Sequence, residues 1–338
     1  MHIQKLADSA ANLSDLVNFT VPYITPTHNE IENLENNPIL DKLYAAPMFI
    51  VDQSRDGFSI DIAKNKFDSL GFSDKAIYLT ANFNNLSDRV IFFPYFFFRS
   101  NLRFRNNPRT LITNRTGTVS CLNRNSNSHR LYLYYHLLQK SYINDIMLSM
   151  HGLTCPYSKE NRSLDTNLVY QQLPADIKEK LKNINLTREA FPGDQANNFL
   201  EPGNPGNHNW DHPAFTDYYL NIITESGPSS AFFSEKTFKP LAAGQLFLIV
   251  SGANSIDGLR YLGFETFDNE FNNHAYDNKD TYIQRVDQLL DLLDEKYNQL
   301  EDIYLRNIKE IQHNQDYALS DSFREDLLKP LRQFGTLA

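Results

Sequence analysis

Cysteine is nearly absent from this chain of 338 residues, which has only Cys121 and Cys155. Two thiols build no disulfide framework, and their spacing matches no zinc motif. Glycine and proline are sparse as well, at 13 and 15 residues, which excludes collagen-like and low-complexity chains. Long apolar runs are missing. Val90-Ile91-Phe92-Phe93-Pro94-Tyr95-Phe96-Phe97-Phe98 and Leu246-Phe247-Leu248-Ile249-Val250 are the longest, far short of the ~20 residues a membrane helix needs. The stretch Met1-His2-Ile3-Gln4-Lys5-Leu6-Ala7-Asp8 has no signal-peptide core, so a cytoplasmic protein without membrane insertion is expected. Positive charge is in deficit: 32 Lys and Arg against 41 Asp and Glu leave a net charge of −9. A field of that sign does not draw the chain to nucleic acid or anionic lipid, although a local basic groove is compatible with it.

What remains is an ordinary soluble composition, 41% hydrophobic and 22% charged, able to bury a large core. At ~150 residues per domain the length suits two domains. The runs Pro47–Asp52, Ala76–Thr80 and Arg89–Phe93 are continuous rather than alternating, as in strands covered on both faces of a parallel sheet. A basic, turn-prone stretch, Arg99 to Arg109, follows, and the first boundary is placed near residue 113. Beyond it the sequence predicts a strand over Thr118–Leu122 and a helix from His129 to Leu138 capped by Ser128 or Asn127. Residues 192–214 are read as a long irregular insertion carrying the only tryptophan. Then come a strand over Asp217–Thr224, a helix over Ser234–Ala243 closed by Gly244, a strand over Gln245–Ser251 and a helix over Ile256–Leu262 closed by Gly263. Apolar residues at helical spacing run from Tyr282 to Ile311. This alternation predicts an α/β architecture of two Rossmann-like domains with parallel sheets flanked by helices.

Two places concentrate chemistry. Glu225-Ser226-Gly227 ends one strand, and Ser234-Glu235-Lys236 opens the next helix. In an open α/β sheet, ligands sit beyond the carboxyl ends of the strands. There Lys236 and the helix amides suit a phosphate, and Glu235 suits sugar or ribose hydroxyls. The same residues also fit a plain structural reading, with Ser234 capping the helix and two solvated charges after it. Asn123, Arg124, His129 and Arg130 form the second place, again a strand end leading into a helix start. Arg130 in the first turn opposes the helix dipole unless something negative lies nearby, which points to a ligand. An exposed arginine tolerated at small cost is the competing reading.

These residues carry a resemblance. Asn123 with Arg130, then Tyr219-Leu-Asn-Ile-Ile-Thr-Glu225-Ser226, Phe233-Ser-Glu-Lys-Thr-Phe238 and Ala243-Gly244 before an apolar strand resemble the donor-binding half of the α-1,3-fucosyltransferase family. They are also similar to phage and bacterial glycosyltransferases carrying Glu-Lys-Thr-Phe/Trp-Lys-Pro. The resemblance spans about residues 118–270, with departures: Ser226 directly follows Glu225, and Cys121-Leu122 precedes Asn123. It implies two Rossmann-like domains of the GT-B type facing a central cleft. Residues 1–113 would form the acceptor side, 114–300 the nucleotide-sugar donor domain, and 301–338 a helical tail packing back on the first domain. It also implies that Arg130 and Lys236 bind the diphosphate of a GDP- or UDP-sugar, with Glu235 on the ribose or sugar and Glu225 shaping the pocket.

The expected reaction is an inverting, metal-independent transfer of a sugar to a hydroxyl. No Asp-x-Asp occurs in the chain, the departing diphosphate draws on cations and amides, and no cofactor is expected. The acceptor hydroxyl needs a base, for which Asp52 is the first candidate and Asp56 the second. Trp210 is a candidate acceptor-stacking residue. His208 and His212 stand four apart, but Pro205, Gly206 and Pro213 argue against the helix that would let them share a metal. The acceptor is expected to be a glycan. Arg99, Arg103, Arg105, Arg109, Arg115 and Arg124 keep a hydroxymethylated base in phage DNA open as the alternative, as is a non-catalytic nucleotide-sugar binder.

Overall fold

Apolar runs that lack alternation form the strands. The computed structural model describes residue 13 and residues 17–54, 60–106, 108–123, 126–151, 172–188, 212–227 and 229–337. The chain divides into two units: Met1–Pro108 with Ser230–Glu235 and Tyr317–Ala338, and Arg109–Ser229 with Lys236–Asp316.

The first unit holds β1 (Val17–Phe19), β2 (Tyr23–Ile24), β3 (Phe49–Gln53), β4 (Ala76–Thr80) and β5 (Val90–Phe92). Strands β2 to β5 lie side by side in chain order, all parallel. Every residue of β4 and the first four of β3 are buried. Helix α1 (Asp61–Ser69) turns Ala63 and Phe67 inward, where Phe67 joins Phe49, Phe72 and Tyr78 in the core. The Phe49 and Phe72 rings meet edge to face at 5.3 Å, a favoured aromatic geometry.

Helix α2 (Tyr95–Phe104) corrects the sequence reading, which took residues 99–109 as turn-prone. Phe97, Phe98, Asn101 and Leu102 fall on one buried stripe at helical spacing, and burial of that stripe outweighs the local charge. Asn101 Nδ2 is used inside, donating to Ala318 O and Ser320 O at 2.8 and 2.9 Å. The aromatic run is core: Phe97 packs against Phe233 and Phe323, and Phe96 against Phe232. A short strand, β11 (Gly335–Leu337), pairs antiparallel with β1. A Cβ at Gly335 would stand 2.5 Å from Asn18 O, so that backbone approach requires glycine.

The second unit contains β6 (Gly117–Leu122), β7 (Ile146–His151), β8 (Thr187–Arg188), β9 (Tyr218–Thr224) and β10 (Leu246–Val250). Their order is β10-β9-β6-β7-β8, with the first four parallel and β8 antiparallel to β7. Helix α3 (Ser128–Leu138) follows β6, and α4 (Glu235–Ala242) follows β9. Gly244 ends α4 at φ +65°, where a Cβ would also strike Leu111 at 2.2 Å. Each unit is therefore α/β, a four-stranded parallel sheet flanked by helices.

The stretch with apolar residues at helical spacing from Tyr282 is three helices: α5 (Tyr282–Lys296), α6 (Leu300–Arg306) and α7 (Ile308–Leu319). A 3-10 turn at Tyr297–Gln299 and Asn307 separate them. A capping box of Thr281 and Gln284 starts α5, satisfying two otherwise orphaned amides.

One buried cation holds the strand-start edge of this sheet together. Arg115, 4% exposed, donates through Nη1 to Phe215 O, Thr216 O and Tyr218 O and through Nη2 to Ala243 O and Gly244 O, at 2.8–3.2 Å. Five main-chain carbonyls replace the carboxylate that a buried arginine would otherwise need.

Candidate functional site

Strand order singles out one place on the second unit's sheet. From β6 the chain steps through α3 to β7 on one side, then returns to lay β9 and β10 on the other side of β6. The connections leaving β6 and β9 thus diverge, and in open α/β sheets the carboxyl ends of such neighbours are the usual ligand position. Asn123 follows β6, and Glu225 follows β9.

Both residues are buried, Asn123 at 1% and Glu225 at 0% exposure. Thr224 Oγ1 donates to Asn123 Oδ1 at 2.7 Å, joining the two strand ends. The Asn123 backbone N–H donates in turn to Ser149 Oγ, 3.1 Å away on β7. Arg130, 2% exposed, donates through Nη2 to Thr224 O at 2.8 Å and Glu225 O at 3.0 Å. A cation in the first turn of α3 is thus offset by two carbonyls at the end of β9. Thr237 Oγ1, in the first turn of α4, donates to the Glu225 carboxylate, and Asn127 Nδ2 donates to Ser226 O at 2.7 Å. The residue after β9 is therefore tied to the first turns of both helices.

His129 adds a neutral donor. Its Nε2 lies 2.9 Å from Glu225 O, and a carbonyl can only accept, so Nε2 carries the proton. Burial pushes the imidazole down to about 3, with the Arg130 charge adding to the effect. The ring is uncharged at neutral pH, and its Nδ1 is buried with no hydrogen-bond partner among the described residues.

The structure thus gathers Asn123, Arg130 and Glu225 at one edge. Ser234 is 2% exposed, and Glu235 and Lys236 are half-buried at the start of α4. Arg124, Asp56 and Trp210 lie outside the described residues, as does His208. Asp52, in the first unit, is 4% exposed. Its Oδ2 accepts from the Tyr23 hydroxyl, and its Oδ1 accepts from Ser54 N at 2.8 Å and Ser54 Oγ at 2.6 Å. Sequence reasoning missed Thr224 and Thr237. The available signal was a hydroxyl at the last position of an apolar strand and another two residues into a helix. Among the described residues no three His, Cys, Asp or Glu side chains gather as a metal site, and no helix is long and apolar enough to cross a membrane.

Two members of the basic stretch are engaged within the protein, one buried and one in a surface ion pair. Arg115 is consumed by carbonyls, and Arg105 pairs with Asp321.

No protein-family model matches the chain, and no curated protein matches it in sequence. Two solved structures align with most of it. One is an alpha1,3-fucosyltransferase, at 12% identity and a TM-score of 0.34, covering 91% of this chain and 93% of that one. The other is an alpha,alpha-trehalose-phosphate synthase (UDP-forming) from Burkholderia vietnamiensis, at 12% identity and a TM-score of 0.31, covering 91% and 65%. At that distance neither match bears on substrate or mechanism.

Proposed function

We propose that the chain is a glycosyltransferase, and that the crevice between the ends of β6 and β9 binds the diphosphate of a GDP- or UDP-sugar. The observation that carries this is the knot at the switch point. Asn123, Arg130 and Glu225 are locked together there, and the Thr237 bond fixes the first turn of α4, which carries Lys236. A fixed helix start presents its amides and an ammonium to an anion with little reorganisation. Lys236 supplies the mobile charge. Arg130 adds its charge while holding the strand end, and Glu235 accepts from sugar or ribose hydroxyls. Charge-assisted contacts of this kind contribute about 1.5–3 kcal/mol each.

In the reaction, an acceptor hydroxyl oxygen attacks the anomeric carbon as the bond to the diphosphate breaks. The configuration inverts, and the acceptor proton passes to a base. Amides, Lys236 and Arg130 take up the charge developing on the leaving group. The sequence carries no Asp-x-Asp to bridge a divalent ion, which supports a metal-independent site. Asp52 has donors on both oxygens, which orient its carboxylate. A glycan acceptor is favoured over modified DNA because Arg105 and Arg115 are engaged within the protein. Pairing leaves less basic surface for phosphates.

A thermal-shift screen of nucleoside diphosphates and their sugars tests the reading. A bound ligand at 100 times its Kd adds ~2.7 kcal/mol of stability. One nucleotide should raise the melting temperature, and Lys236→Ala should reduce that rise. No response to any of them would overturn the proposal.

A further inference from the structure

An open pocket of about 550 Å³ lies at the other edge of the same sheet, within the ~300–1,000 Å³ range of small-ligand sites. It is lined by Lys140, Tyr142, Asp145, Asp294, Tyr297 and Asn298, among others. Asp145 directly precedes β7, so the pocket opens at strand starts rather than strand ends. Helix α3 begins at the crevice and ends beside the pocket. Its 11 residues, at 1.5 Å each, separate the two by ~16 Å.

The lining is rigid and polar. The Tyr142 and Tyr297 rings stack at 3.8 Å with 16° between their planes, which holds Tyr142 as a fixed aromatic wall. The Tyr142 hydroxyl and Lys140 Nζ both donate to the Asp294 carboxylate. That carboxylate is therefore oriented but keeps lone pairs for further donors. Its side chain is 44% exposed. Asn298, exposed at the start of the turn after α5, offers both an amide donor and a carbonyl acceptor.

Charge narrows the ligand class. Two carboxylates face one ammonium, and that ammonium is already paired. A phosphate or nucleotide would meet net negative charge with no cation to spare. A wholly apolar ligand would strip water from carboxylates and an amide without replacing it. A polyhydroxylated neutral ligand meets neither objection. Its hydroxyls donate to Asp294 and Asp145 and bond Asn298 both ways, and its C–H face lies on an aromatic wall. We propose that this pocket is a binding site for a neutral oligosaccharide, separate from the donor crevice. The pocket's own chemistry supports this, and it goes beyond the transferase reading.

Binding of the full-length chain to an array of neutral, sialylated and phosphorylated oligosaccharides tests it. Neutral members should be retained in the absence of nucleotide. Tyr142→Ala and Asn298→Ala should each weaken that binding roughly tenfold, the scale of one lost hydrogen bond at its upper limit. Asn298→Ala alters an exposed side chain, so it reports even if Tyr142→Ala fails to fold. Retention of no neutral glycan, equal retention of the anionic ones, or binding unchanged in Asn298→Ala would overturn the proposal. The nucleotide-dependent thermal shift of Asn298→Ala should match the parent protein, so a failed glycan site is distinguishable from a failed donor crevice.

Discussion

The two parallel sheets are built from similar strands but differ in order. In the first unit β2, β3, β4 and β5 follow one another across the sheet without reversal. In the second, the chain leaves β6 in one direction and comes back for β9 and β10 in the other. A sheet laid down monotonically has no place where neighbouring connections diverge, whereas one that doubles back has such a place. The polar residues follow this difference. At the end of β3, Asp52 spends its oxygens on Tyr23 and Ser54 in a local turn. At the ends of β6 and β9, Asn123, Thr224, Glu225 and Arg130 bind one another across about 100 residues of sequence.

The sharpest break in that comparison comes from Arg115. Arg115→Met strips five carbonyls of their donor, and unfolding by denaturant should show a loss of at least about 3 kcal/mol. A smaller loss would mean the strand-start edge is held by something else. Glu225→Ala comes next, removing the buried acceptor of Thr237. It should cost about 2 kcal/mol and weaken nucleotide binding as α4 loosens. Full nucleotide affinity in that variant would detach the crevice from the knot.

Lys236→Ala should weaken nucleoside diphosphate binding by about 10- to 100-fold, matching 1.5–3 kcal/mol, as calorimetry can read. Asp52→Asn tests the other sheet. It should cost about 1 kcal/mol through the turn with nucleotide binding unchanged. Loss of transfer at an unaltered melting temperature would instead give Asp52 the role of base.

Near neutral pH the smallest effect is a pH slope. His129 is held neutral in the fold, down to about 3, against 6.5 when free. Its folded value is depressed, so its contribution is fully present above pH 6.5 and is lost as pH falls from 6.5 toward 3, where the unfolded chain takes up the proton first. The stability difference between the parent and His129→Gln should therefore shrink on acidification across that window. A constant difference would show that the ring is not buried neutral.

Much of this was legible in the sequence. The strands β3, β4, β5 and β10 announced themselves as apolar runs, β6 and β9 were read despite a polar residue inside each, and Gly244 and Gly263 marked helix ends, both at positive φ. Strand β7, Ile146-Met-Leu-Ser-Met-His151, was passed over, and with it Ser149, whose hydroxyl anchors Asn123. Asn123, Arg130 and Glu225 were nominated together, but how they interlock was not visible. Arg130 and Arg115 take backbone carbonyls as partners, and a carbonyl has no letter of its own in a sequence. For the same reason Arg115 looked like one more surface cation in a basic run.

Co-crystallisation with the nucleoside diphosphate that gives the largest thermal shift tests the switch-point claim most directly. The phosphates should lie over the carboxyl ends of β6 and β9, within hydrogen-bond reach of Lys236 and the first amides of α4. Density for the nucleotide at the ends of β3 and β4, or at the strand-start edge beside Tyr142, would contradict it.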